Sequence, residues 1–223
     1  MKPLAQRAHG AAFLLLSLVV LLGATGCAHP IVISPNLSQL EREASATPIQ
    51  KNVGYYISVE KRSLQVTTGG GGGDSVSYKP YADIETAFYK TLSNVFADVT
   101  VLQDTKDAEA IGKRGISYVL TPSIVTTSSS PSPFTWPPTY FRMELSCSVA
   151  DTSGKPIATK AVIGEGRAEF NEFKSDFALS AKRAVEDALK KLQAILLDSK
   201  ELRTNDGGRP SPAAGTGGSA SPS

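Results

Sequence analysis

The stretch FRMELSCSV, residues 141–149, sets apolar Phe141, Met143, Leu145, Cys147 and Val149 against polar Arg142, Glu144, Ser146 and Ser148. Successive side chains on a strand point to opposite faces, so this period of two predicts a strand with one buried and one wet face. Strands of that kind belong to antiparallel sheet, because all-parallel sheets are covered on both sides. Downstream, a turn over Asp151–Pro156 containing Ser153-Gly154 leads into a strand expected over 158–170, and upstream residues 116–127 read as another strand. An antiparallel run at the centre of the chain follows.

Outside that run the period changes. Residues 81–96 place Ile84, Phe88, Leu92, Val95 and Phe96 at steps of four and three, which predicts a helix with one apolar stripe and with Asp83 at the positive end of its dipole. Residues 175–197 repeat the pattern with Phe177, Ala181, Ala184, Ala188, Leu192 and Ile195, and carry Glu186–Lys190 and Asp187–Lys191 as i,i+4 pairs on the expected solvated side. Val53, Tyr55, Ile57 and Val59 alternate as a strand, with Leu64 and Val66 as candidates to extend it. Residues 99–102 read as a short strand, and 107–113 as a brief helix stopped at Gly115. The order predicts an α+β domain over 51–202: a single mixed, mostly antiparallel sheet of four to six strands, covered on one face by two long helices.

The whole chain has 223 residues, 41% apolar and 20% charged, which permits one such domain plus terminal extensions. Lys2 and Arg7 precede the apolar run 11–22, then Gly23-Ala24-Thr25-Gly26 leads to Cys27, so residues 1–26 read as an export signal. The run is shorter than the about 20 residues a membrane span needs. Removing it takes Lys+Arg from 23 to 21, equal to the 21 Asp+Glu, and a neutral chain has no long-range attraction for nucleic acid. Residues 27–50, with Pro30, Pro35 and Pro48, read as a tether that would reach roughly 70 Å if extended. Residues 203–223, built mainly of Gly, Pro, Ser, Ala and Thr, read as a disordered tail.

Ala24-Thr25-Gly26-Cys27 resembles the lipobox of bacterial lipoproteins, with Ala24 where that family most often has Leu. The resemblance implies that Cys27 carries a thioether-linked diacylglycerol, becomes the mature N-terminus and takes a third acyl chain such as palmitate on its amine. More than one chain is what makes such an anchor stable. Ala28, where Asp would signal retention in the inner membrane, implies the periplasmic leaflet of the outer membrane. Together with the order of elements, the lipobox resembles small Gram-negative outer-membrane lipoproteins of the YajG type, the lipoprotein activator of a peptidoglycan synthase and the N-terminal part of the curli secretion lipoprotein. That likeness implies a non-enzymatic adaptor in the envelope that needs no cofactor.

Chemistry-bearing residues are few. The two histidines, His9 and His29, both precede the predicted domain, which removes a Ser-His-Asp triad and histidine-based metal sites from it, so no metal is expected. Gly69 to Gly73 lacks the Lys-Ser/Thr of a phosphate loop and reads as a flexible connection, and Gly164-Glu165-Gly166 reads as a bulge or close packing. Cys147 lies on the apolar face and reads as a buried structural thiol. Glu144, Glu165 and Glu169 are the candidates for a carboxylate-pair hydrolase, against cross-strand ion pairing with Arg142 and Arg167. The segment SSSPSPFTWPPT, residues 128–139, combines four prolines with Phe134 and the only tryptophan, Trp136, and Tyr140 follows. Phe134, Trp136 and Tyr140 either present aromatic anchors to a partner or fold back to cap the core.

Three functions fit this sequence: an adaptor gripping an envelope protein through a sheet edge or the 131–141 loop, a lipid or glycan binder with an apolar groove, and a hydrolase.

Overall fold

A computed structural model describes residues 28–132, 137–172 and 175–204. Along the chain its elements are β1 (Ala28–Pro30), β2 (Ile49–Tyr55), α1 (Val59–Ser63), β3 (Val66–Gly69), β4 (Ser75–Tyr78), α2 (Pro80–Val95) and β5 (Phe96–Val101). They continue with α3 (Ala108–Arg114), β6 (Ile116–Ser129), β7 (Tyr140–Asp151), β8 (Pro156–Arg167), α4 (Leu179–Leu197) and α5 (Lys200–Thr204).

The fold is mixed α+β, as expected, but its strands form two sheets where a single one was predicted. Five strands pair in the order β5-β2-β6-β7-β8, and three shorter ones in the order β1-β4-β3. In the larger sheet β2 runs parallel to β5 and β6, while β6, β7 and β8 form the antiparallel run. Helix α2 makes the crossover between the parallel strands β2 and β5, a connection that parallel pairing requires. The smaller sheet escaped the sequence reading because its strands have three or four residues, too few to display a period.

Phe141, Met143, Leu145, Cys147 and Val149 are all buried, each at 1% exposure or less, under α2 and α4. Helix α4 lies unusually close to β8. A Cβ at Gly164 would sit 2.5 Å from Ala188 N, and one at Gly166 would sit 2.5 Å from Ala184 N. Side-chain-free strand positions opposite Ser180, Ala184 and Ala188 let the helix backbone rest on the sheet, so close packing is the role of this Gly-x-Gly. The second face is not bare. Leu102, Ile116 and Val119 form a small cluster there with Tyr56, Ala110 and Ile111, placing α3 opposite the long helices. Gly54 opens the space for it, since a Cβ would meet Leu102 at 2.5 Å.

Several boundaries differ from expectation, among them the end of β8, at Arg167 and not Phe170, and the start of β5, at Phe96 and not Val99. The predicted strand through Val59 ends at Tyr55, because Ser58 accepts the Lys61 N–H through its hydroxyl and caps α1, leaving Val59 at 74% exposure. The second long helix begins at Leu179 and leaves Phe177 exposed.

The stretch expected to be a tether is built into the fold. Ile31, Ile33, Leu40 and Ile49 are core residues, and β1 pairs with β4 from Ala28 onward. Asp83 at the start of α2 accepts the Ile33 N–H at 3.2 Å, and its carbonyl accepts the Ser34 hydroxyl. Farther along, Asn94 donates to the Leu40 carbonyl and, at 2.8 Å, to Gln193 of α4, while Arg42 donates to the Asn94 carbonyl at 3.1 Å. These bonds satisfy polar groups inside the core and tie the segment to both long helices. Periodicity could not reveal this, because irregular chain buries apolar residues at irregular spacing. Helix α5 also reaches past the predicted end of the domain at residue 202; Arg203 donates to the Thr47 and Leu197 carbonyls. The signal segment 1–26, Cys27 and residues 205–223 of the tail lie outside the described residues.

Candidate partner-binding site

The long hairpins β6–β7 and β7–β8 run past the end of β2 and gather several segments at one pole of the molecule. Ser130 N–H donates to Gly70 O at 3.2 Å, joining the end of β6 to the glycine turn between β3 and β4. Gly69 to Gly73 therefore acts as a hairpin connection, with Gly72 and Gly73 at φ of 67° and 87°, backbone that favours glycine. Hydroxyl groups complete the joint: Ser128 donates to Thr68 Oγ1 at 2.6 Å and Tyr78 to Thr126 Oγ1 at 2.6 Å.

A groove of about 480 Å³ opens at this pole, lined by Pro131, Ser132, Thr139, Tyr140, Arg167, Ala168, Glu169 and Phe170. The descending limb of the proline-rich loop is fixed. Pro137 and Pro138 are buried, Ser180 at the start of α4 donates to Pro138 O at 2.6 Å, and Ala168 N–H donates to Thr139 O at 3.0 Å. Of the three residues expected to bind a partner, Tyr140 lines the groove, half-buried. Phe134 and Trp136 lie outside the described residues.

Tyr140 is held from two sides. Its hydroxyl donates to Glu165 at 2.8 Å, and the Arg167 guanidinium lies 5.4 Å from its ring centroid, the geometry of a cation–π contact. The bond to Glu165 raises the phenol's pKa and, with the neighbouring Arg142, holds the Glu165 carboxyl below its usual range. Arg142 bridges Glu165 and Glu144, each at 3.2 Å. Glu169 sits at the groove wall, with its backbone N–H donating to Glu172. Glu165 is thus a stabilised carboxylate on the wet sheet face, and a general acid needs the opposite shift. Cys147 lies fully buried on the other face, its thiol pushed up to about 12 by burial.

Helix α4 governs the outer edge of β8. Asp187 accepts the Glu165 N–H at 3.0 Å, Lys191 donates to Ile163 O at 2.9 Å and Arg183 donates to Arg167 O at 2.7 Å. The pair Asp187–Lys191 is present at 2.7 Å, yet it serves the strand edge as well as the helix surface. The signal in the sequence was the charged row Arg183, Asp187, Lys191 at steps of four, which reads equally as a solvated face. Among the described residues no group of three or more His, Cys, Asp or Glu could hold a metal, and no helix is long and apolar enough to cross a membrane.

No family model matches the chain, and no curated protein matches it. Solved structures with a similar backbone include protein XCC0632 of Xanthomonas campestris, of family DUF330, at 10% identity and a TM-score of 0.46, covering 78% of this chain and 95% of that one. PelC of Paraburkholderia phytofirmans, a dodecamer, is 15% identical with a TM-score of 0.37, covering 68% of this chain and 95% of that one. A candidate lipoprotein of Caulobacter crescentus is 14% identical with a TM-score of 0.27, covering 43% and 77%. At these identities and TM-scores none of the likenesses assigns a family or an activity to this chain.

Proposed function

We propose that the protein is an outer-membrane lipoprotein, anchored through acylated Cys27 and facing the periplasm, that works as a non-enzymatic adaptor for an envelope protein complex. One observation carries the reading: the export-signal pattern closes on Ala24-Thr25-Gly26-Cys27, and the residue after it, Ala28, is paired in a strand of the domain. Acyl chains on Cys27 would hold the domain close to the membrane. The site proposed for the partner is the pole bearing Tyr140 and the 131–141 loop, where the groove supplies a concave aromatic surface.

Mass spectrometry of the protein made in its host is expected to find Cys27 acylated and N-terminal. An unmodified Cys27, or protein free in the cytosol, would overturn the anchor. In-cell crosslinking is expected to capture an envelope protein, and Trp136→Ala, with a folded-state spectrum as control, should weaken that capture. An unchanged capture profile removes the loop from the site.

A second reading, binding of an envelope lipid or glycan, draws on the same groove, which at about 480 Å³ has the size of small-ligand sites. Copurifying lipid or glycan, lost in Tyr140→Ala, would favour it over the adaptor. The hydrolase reading draws only on Glu144, Glu165 and Glu169, of which Glu144 and Glu165 are ion-paired with Arg142. Turnover abolished by Glu144→Gln or Glu165→Gln would be needed to support it.

A further inference from the structure

We infer that the pole carrying the groove rests against the bilayer surface, so that the β6–β7–β8 hairpins stand away from the membrane with their Asp151–Lys155 turn farthest from it. The inference rests on the proposed acylation of Cys27 and adds to it where the lipid must lie. No spacer separates anchor from fold: the Cα atoms of Cys27 and Ala28 are about 3.8 Å apart across a trans peptide. Ala28 is already paired with Ser75 of β4, Ser75 with Gly69 of β3, and a Cβ on Gly69 would lie 3.4 Å from Ser128 O of β6. Neighbouring strands lie about 4.8 Å apart, which places the anchor within roughly 15–20 Å of the end of β6 and the groove beside it. An acylated cysteine held at headgroup level keeps this pole at the membrane surface, so the partner proposed for the groove would meet it there, within the headgroup layer.

The chemistry of the pole suits a zwitterionic headgroup layer. Tyr140 and the 59%-exposed Phe170 line the groove with Arg167, and aromatic rings with a flanking cation are the groups that settle at a membrane interface. Arg167 and Glu169 bring opposite charges to the groove. Attraction to anionic lipid therefore contributes little, and contact should respond weakly to salt.

The experiment uses the full chain purified with its lipid anchor in vesicles of phosphatidylethanolamine and phosphatidylglycerol with brominated acyl chains. A fluorophore is attached in turn through Ser129→Cys, Thr127→Cys and Lys155→Cys; these positions are exposed, and native Cys147, fully buried, does not compete for label. Tyr140 to Asp151 spans eleven steps, so the Lys155 site lies about 36 Å or more from the groove end of β7. Quenching at residue 129 should exceed that at residue 155 at least threefold, with residue 127 between them and little change when phosphatidylglycerol is omitted. Equal or absent quenching at all three sites, with Cys27 shown by mass spectrometry to be acylated, would overturn the orientation while leaving the anchor intact. An unacylated Cys27 would overturn both.

Discussion

Gly164 and Gly166 show how much a single missing side chain decides. Their α-carbons face backbone atoms and Cβ atoms of α4, none of which can swing aside, so an added methyl group has nowhere to move. Gly164→Ala is expected to lose about 2–3 kcal/mol of stability in denaturant titration, the upper range for overpacking against an unyielding neighbour. Gly112 is the counter-case. It lies inside helix α3 with nothing within 4 Å of its added Cβ, so Gly112→Ala should gain about 0.5–1 kcal/mol in the same assay. Cys147 makes a chemical prediction at this scale. Burial raises its thiol to about 12, so the native protein should be inert to an aromatic disulfide reagent at pH 8 and react only at the rate of opening, while the urea-unfolded chain reacts at once. Prompt reaction of a folded Cys27→Ser chain would contradict the buried placement.

Between elements, exposed ion pairs shape the response to acid. Glu172 is drawn down to about 2 chiefly by its bond to Arg183 of α4, and Glu201 of α5 to about 2 chiefly by Lys160 of β8. Both folded values lie below the ordinary glutamate range. The stability these groups contribute is therefore present above that range, near pH 4.5, and is lost as pH falls toward 2. Asp83 runs the other way, its pKa raised by burial, so its contribution is largest at low pH and fades as pH rises through its folded value. Thermal melts should show Tm falling between pH 4.5 and 2, and Arg183→Gln combined with Lys160→Gln should flatten that fall. A second prediction concerns the β8 edge. Removing Asp187 and Lys191 together as alanines uncovers the Glu165 N–H and Ile163 carbonyl, and exposed strand edges pair with other chains. Sedimentation should show the double variant shifted to larger species than the unchanged chain at equal concentration.

For the molecule as a whole, the telling test is the N-terminal segment. A free tether would tolerate any substitution, whereas Ile33 is fully buried beside the start of α2. Ile33→Ala is expected to cost about 2–4 kcal/mol in denaturant titration, the range for emptying a well-packed aliphatic site. A change below about 0.5 kcal/mol would restore the tether.

Strand β7 with its buried face, the helices α2, α3 and α4 to within a few residues, the fate of Cys147 and the candidate anchor at Cys27 were legible in the amino-acid order alone, because period, capping residues and a short contiguous motif are local signals. The same order left open whether Tyr140 points to solvent or a groove, and which of Arg142 and Arg167 pairs with Glu165. The second sheet, the burial of Ile31, Ile33 and Leu40, and the use of Arg183, Asp187 and Lys191 to close a strand edge were decided only by tertiary structure. Each depends on contacts between residues far apart in the chain, and in those cases hydrophobicity or charge shows that a partner is needed without showing which one.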